Sequence, residues 1–465
     1  MSLLGVILTF WFVSFVDKNG SHEVALSTEA LSLRFRHAIA IDSLDYAVSP
    51  AYLDSLKKKG VRICHTTRWL NGATIEATDD IAQDIRRFPF VTNVEATRLS
   101  TTDVAVPRRK MQVELTSDAT DCHQQLEMMN LPLLHDRGYK GQGIKIAVLD
   151  GGFRNINTLD VFDSVRVNNQ YIGAYDFADD EIDFYGEGTE HGSMCLALIA
   201  GNRDDYLGAA NQAAFCVMRT EEVSTESPKE ADNWVAAVEK CDSLGVNIVS
   251  TSLGYSVFDN AEWNYKYEQM DGRSCRASRA AVIAARKGML LCTAAGNSAK
   301  TEWPWIDVPA DADSTLTVGA VGRDSVLASF SSYGPSADGR IKPDVCALGV
   351  GTCLVNPNTG LLQNSNGTSF ATPLIAGLAA CLWSAFPDET NMQIMERIRM
   401  SSHLSRQPDN YYGYGIPNVR KAIEGQTDIV NMFEDKDTCV RKIFINGQVV
   451  IEREGIRYTV MGQKL

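Results

Sequence analysis

Ile146-Ala147-Val148-Leu149-Asp150-Gly151-Gly152 is an apolar run that stops at a carboxylate and a glycine turn. Apolar residues at successive positions, rather than alternating ones, are the pattern of a strand buried on both faces of a parallel sheet. Similar runs follow at Ala213 to Met218, Val246 to Ser250 and Met289 to Thr293, with helical stretches at Trp234 to Leu244, Ser278 to Lys287 and Phe370 to Ala385. This alternation predicts an α/β unit, a doubly wound parallel sheet covered by helices on both faces. Ligands of such sheets bind at the carboxyl ends of strands, where Asp150 stands.

Two further motifs follow in order, Glu190-His191-Gly192-Ser193 and Asn366-Gly367-Thr368-Ser369-Phe370-Ala371-Thr372-Pro373. Taken singly, each has a plain reading: a helix cap, a structural histidine, a capping turn. Together they supply a carboxylate, an imidazole and a hydroxyl. A serine hydroxyl is a poor nucleophile near neutral pH, so it needs a base, and the base needs a carboxylate to fix its tautomer. Of the seven histidines, only His191 lies between the Asp and Ser motifs, which makes it the candidate base. Ser369 falls at the start of a helix, where free N–H groups and the helix dipole favour developing negative charge.

The Asp-His-Ser order and the motifs between resemble the subtilases, the subtilisin-like serine endopeptidases. The resemblance spans about residues 123 to 425. It also takes in Ser252-Leu253-Gly254, Ala294-Ala295-Gly296-Asn297, Pro309-Ala310 with Leu316-Thr317-Val318-Gly319-Ala320, Phe330-Ser331-Ser332-Tyr333-Gly334-Pro335, Lys342-Pro343-Asp344 and Tyr412-Gly413-Tyr414-Gly415-Ile416-Pro417-Asn418. It implies a catalytic set of Asp150, His191 and Ser369, with Asn297 as the side-chain donor of the oxyanion hole. It also implies that the backbone of Ser252, Leu253 and Gly254 pairs with an extended peptide substrate. No cofactor is expected; structural calcium would be consistent with the resemblance, and no metal ligand is assigned. Three departures stand out. Ser193-Met194 replaces the usual Thr and second His, and Ala347-Leu348-Gly349 replaces Ala-Pro-Gly. Gly151-Gly152 follows Asp150 where Ser or Thr is usual, and is expected to loosen the carboxylate's surroundings.

At 465 residues the chain exceeds one ordinary core, and 45% apolar with 22% charged residues is a globular composition. A formal charge of −14, with no basic patch interleaved with aromatics, argues against nucleic acid as partner. Eleven scattered cysteines, several in apolar runs, read mostly as buried free thiols, and no paired spacing suggests zinc. The uncharged run Leu3 to Val16 is short for a membrane span and lacks the basic start and small-residue cleavage site of a signal peptide. It reads as the first strand of a small domain, with a secretion signal either upstream or surviving as residues 1 to about 9. The expected location is secreted or in the cell envelope.

Residues 1–97 show strand, helices, two strands, helix and strand, a ferredoxin-like α+β pattern. In subtilases a domain in this place is the propeptide, so the resemblance implies an inhibitor and folding aid for the unit behind it. Residues 98–122 read as a linker with a processing site between Leu99 and Cys122, and 123–425 as the catalytic domain. Residues 426–465 form a β-rich tail with hairpin turns at Asn446-Gly447 and Glu454-Gly455. Two other functions compete. A lipase would need Gly-x-Ser-x-Gly and Ser-Asp-His order, which Gly367-Thr368-Ser369-Phe370-Ala371 does not provide. A catalytically inactive subtilase-fold binding protein would replace a member of the set, and all four are present. The expected partners are protein or peptide substrates and the chain's own N-terminal domain.

Overall fold

The computed structural model describes residues 8–98, 117–118, 122–178, 183–186 and 188–424, and the backbone of three strands between 440 and 459. The first seven residues, and the turns anticipated at 446–447 and 454–455, lie outside the described residues.

The N-terminal domain contains β1 (Thr9–Phe15), α1 (Thr28–Arg36), α2 (Pro50–Lys57), β2 (Arg62–Thr67), β3 (Gly72–Ala77), α3 (Asp79–Ile85) and β4 (Val91–Arg98). Its antiparallel sheet has the order β2-β3-β1-β4. Alternation along β1 turns Trp11, Val13 and Phe15 inward, onto Leu56 of α2 and Ala82 and Ile85 of α3. The helix that completes the ferredoxin-like layer is therefore α2. The first helix, α1, faces away from this core: its Arg34 reaches Asp242 of the larger unit that follows instead.

Short elements lead into that unit: β5 (Ser117–Asp118), α4 (Gln124–Glu127) and α5 (Pro132–Asp136). Then come β6 (Lys145–Asp150), α6 (Asp163–Val167), β7 (Tyr171–Asp176), α7 (His191–Ala200), the hairpin β8 (Asn202–Arg203) and β9 (Tyr206–Leu207), and β10 (Ala214–Arg219). The second half holds α8 (Pro228–Leu244), β11 (Ile248–Thr251), α9 (Arg276–Arg286), β12 (Leu290–Ala294), β13 (Thr315–Val321), β14 (Val345–Leu348), β15 (Thr352–Val355) and β16 (Leu362–Ser365). Helices α10 (Thr368–Ala385), α11 (Asn391–Ser401) and α12 (Val419–Glu424) follow. Seven parallel strands make one sheet in the order β14-β13-β12-β11-β6-β10-β7. From β6 the chain goes to the edge strand β7, returns to place β10 between them, then crosses to lay β11 on the other side of β6. That reversal opens a crevice at the carboxyl ends of β6, β10, β11 and β12.

Helices α8 and α9 bury Trp234, Val238, Ala277 and Ala281 against Ala147, Leu149, Cys216 and Leu291 of the sheet. Helix α10, apolar all round, packs with α7 on the opposite face; 83% of it is buried, as expected for a core helix rather than a membrane span. Helix α8 starts at Pro228, a full turn and more before the periodicity announces it. Pro228 sits at the first helical position, and the Glu230 carboxylate accepts the Ser227 N–H at 3.1 Å.

Charged side chains join the N-terminal domain to α8 and α9. Arg34 donates to Asp45 (3.0 Å) and to both oxygens of Asp242 (2.7 and 2.8 Å), and Arg68 donates to Asp242 (2.7 Å). Lys287 reaches Asp42 and Asp45, while Arg276 bridges Glu95 and Asp232 and lies over the Phe12 ring. At the end of β4, Arg98 pairs with Glu222. Cys122 is joined to Cys353, and of the eight free cysteines among the described residues seven are buried, as their apolar neighbours suggested.

Residues 420–465 form a second, separate unit. Its described part is the end of α12 and the backbone of an antiparallel sheet of β17 (Val440–Ile445), β18 (Gln448–Arg453) and β19 (Ile456–Thr459).

Candidate active site

Each anticipated residue stands where a strand or helix end delivers it. Asp150 closes β6, Ser252-Leu253-Gly254 continues from β11, Asn297 follows β12 after a two-residue turn, His191 opens α7 and Ser369 is the second residue of α10. His191, Ser252, Leu253, Gly254, Asn297 and Ser369 line one cleft of about 300 Å³, and Asp150 lies behind His191.

Asp150 has no solvent exposure, and both its oxygens sit 2.9 Å from Nδ1 of His191. Its Oδ1 also accepts the Gly151 N–H at 2.7 Å. Burial alone would lower the imidazole's pKa, but the adjacent carboxylate overrides it and holds the pKa well above 6.5. The expectation that Gly151-Gly152 loosens this carboxylate is corrected here. A Cβ on Gly152 would meet the Thr189 backbone at 2.4 Å, and one on Gly192 would meet Asp150 Cβ at 2.7 Å. The glycines let the 188–192 loop close directly over the carboxylate, which tightens the site. The departures after His191 are absorbed by packing: Met194 is fully buried and Ser193 Oγ donates to Arg154 O at 2.8 Å.

Pro373, four residues after Ser369, has no N–H to give the Ser369 carbonyl. Ser252 Oγ donates to that carbonyl instead at 2.7 Å, and the buried Cys195 thiol does so at 3.5 Å. In return Ser369 Oγ donates to Ser252 O at 3.3 Å. Ser252 thus clamps the start of α10 as well as leading the exposed Gly254 to the cleft rim. Asn297 is exposed to the cleft, and its Oδ1 accepts from Thr368 N (2.9 Å) and Thr368 Oγ1 (3.0 Å). With the oxygen taken, the amide NH2 is left to face the cleft. Sequence reasoning missed Thr368 and Cys195, the latter 3.8 Å from Nδ1 of His191, and the acidic lining at Glu221, Glu226 and Asp307. A carboxylate inside the apolar run Trp305-Ile306-Asp307-Val308 was the available signal for the last.

Comparison with known proteins identifies the family. The subtilase family model matches residues 141–415, and a Bacteroidota peptidase S8 propeptide domain matches residues 10–114. A subtilisin of Bacillus pumilus is 30% identical over 64% of this chain and 98% of its own length. Subtilisin NAT of Bacillus subtilis subsp. natto is 26% identical over 80% of this chain and 85% of its own. The crystal structure of MycP1 from Mycobacterium smegmatis shares the fold at a TM-score of 0.53 and 21% identity, covering 68% of this chain and 89% of that one. The chain belongs to the subtilase family of serine endopeptidases and carries a propeptide domain in front of its catalytic unit.

Proposed function

We propose that Asp150, His191 and Ser369 act as a triad that cleaves peptide bonds through an acyl-enzyme. The observation that carries this reading is the buried Asp150–His191 pair at 2.9 Å in the cleft that holds Ser369 at a helix N-terminus. Ser369 Oγ turns from Ser252 O to His191, loses its proton to Nε2 and attacks the substrate carbonyl. Asp150 fixes the proton on Nδ1 and stabilises the imidazolium. The carbonyl oxygen, now negative, meets the Asn297 amide and the Ser369 N–H, which has no helical partner at this position. The imidazolium then protonates the leaving amine, and water, activated by the same base, releases the acyl group. An extended substrate would lie beside Ser252 to Gly254 and pair with it as an added strand.

Self-processing of the zymogen belongs to the same reading. The last strand of the N-terminal domain ends at Arg98, whose guanidinium is anchored on Glu222, next to the cleft residue Glu221. Strand β4 therefore ends at the cleft's edge. We also infer secretion or residence in the cell envelope, supported by the Cys122–Cys353 disulfide, a bond favoured by oxidising compartments. The inactive alternative gains no support from a site with all four groups in register. Expressing wild type beside Ser369→Ala tests the reading. Wild type should label with a fluorophosphonate and gain a new N-terminus between Leu99 and Cys122, while the variant stays intact and unlabelled. An unlabelled wild type, or processing in both, would refute it.

A further inference from the structure

The cleft holds a carboxylate that the triad does not use. Asp307 lies across the two walls that run to the catalytic groups. Its N–H donates to Ala295 O at 3.2 Å, and its neighbour Val308 exchanges backbone bonds with Tyr255 at 2.8 and 3.1 Å. Its side chain fits against two glycines. A Cβ on Gly254 would come within 2.6 Å of Asp307 Cβ, and one on Gly296 within 2.5 Å of Oδ2. Those glycines adjoin the substrate-pairing segment and Asn297, so Asp307 forms the floor directly behind the point where the scissile carbonyl is held. A substrate strand paired with Ser252 to Gly254 would set the side chain of the residue supplying that carbonyl against this floor.

Asp307 is only 8% exposed, yet its Oδ1 has no hydrogen-bond partner. Burial pushes its pKa up to about 6 against the opposing pull of the Ser256 and Trp303 side chains, so near pH 7 the carboxylate is charged and, among the described residues, has no cation beside it in the cleft. Burying an anion without a counter-charge is costly, and a ligand cation entering the cleft would relieve that cost. Glu221 and Glu226 line the same cleft, and no Lys or Arg does among the described residues. Glu221 already accepts from Tyr255 OH at 2.7 Å; Asp307 Oδ1 is the one left over.

We propose that Asp307 selects substrates with arginine or lysine on the amino side of the scissile bond, by ion-pairing with that side chain at the floor of the cleft. The inference rests on the catalytic reading above and adds the substrate class to it. The chain's own sequence fits: between Leu99 and Cys122 the basic residues are Arg108, Arg109 and Lys110 alone, and the propeptide match ends just beyond them at residue 114. The processing cut then falls after one of those three.

The test uses processed wild-type enzyme on fluorogenic peptides that differ only in having Arg, Lys, Leu or Glu before the scissile bond. kcat/KM should favour Arg and Lys over Leu by about a hundredfold or more, the size expected when a buried charge gains or loses its partner. Asp307→Asn should shrink the Arg-to-Leu ratio at least tenfold. Should that variant not fold, benzamidine, a small amidine, must still compete with substrate in wild type, and the new N-terminus must be Arg109, Lys110 or Met111. Equal rates on Leu and Arg, a ratio unchanged in Asp307→Asn, or a cut elsewhere would overturn the assignment. Fluorophosphonate labelling separates the two readings. A labelled enzyme without basic preference overturns this inference alone, and an unlabelled one removes the catalytic reading with it.

Discussion

Replacing Asp242 by Asn should loosen the N-terminal domain from the catalytic unit by about 3 kcal/mol. Asp242 is 4% exposed and takes three short bonds, two from Arg34 and one from Arg68, themselves 3% and 10% exposed. Removing one partner of a buried pair typically costs about 3–5 kcal/mol, because the other charge stays buried without compensation. Here the guanidiniums keep second partners, Asp45 at 3.0 Å for Arg34 and Glu239 at 3.6 Å for Arg68, which places the loss at the lower end. Three kcal/mol is about a 150-fold change in the opening equilibrium. The measurement is hydrogen exchange on the unprocessed Ser369→Ala chain, with and without Asp242→Asn. Amides of α1 and β2 should exchange roughly a hundredfold faster, and those of β6 and β11 should not change. A double-mutant cycle with Arg34→Met should be less than additive. An effect below about 0.5 kcal/mol, within the range of exposed pairs, would refute the claim that this network fastens the two domains.

Other outcomes follow from the site. Ser369→Ala should remove turnover while leaving the melting temperature nearly unchanged, read by peptide hydrolysis and calorimetry. Asn297→Ala should lower kcat by about a hundredfold or more with little change in KM, since its amide meets charge that exists mainly in the transition state. Thr368→Val, which deletes one of the two bonds orienting that amide, should lower kcat about tenfold, a positioning effect that Thr368→Ser largely restores. The pH profile is set by His191. Burial would depress its pKa, but Asp150 raises it well above 6.5, and the reaction needs the neutral base. kcat/KM should therefore fall as pH drops through a value above 6.5, and Asp150→Asn should move that limb to lower pH.

The parts of this fold that could be read in advance are those whose physics is local. An unbroken apolar run marks a strand with two covered faces, so the positions of Asp150 and Asn297 at strand ends followed from Ile146-Ala147-Val148-Leu149 and Leu290-Leu291-Cys292-Thr293. The start of α8 was legible too, but only in the capping box of Ser227 and Glu230, not in the apolar period. What was hidden depends on long-range closure. Nothing near Asp42 or Asp45 says that they neutralise Lys287, more than 240 residues away. Pro373 announces an orphaned carbonyl four residues back, yet that Ser252 and Cys195 answer it depends on how β11 and α7 pack against α10. Gly151-Gly152 misled for the same reason. Glycine after a carboxylate suggests slack when its neighbours in sequence are considered, whereas the loop arriving from residue 188 needs the missing side chains to seal the carboxylate in. The same logic bears on Asp307. Its significance lies in two glycines, Gly254 and Gly296, that leave its carboxylate room behind the scissile carbonyl. An aspartate in an apolar run is therefore best read together with the glycines that the fold sets against it.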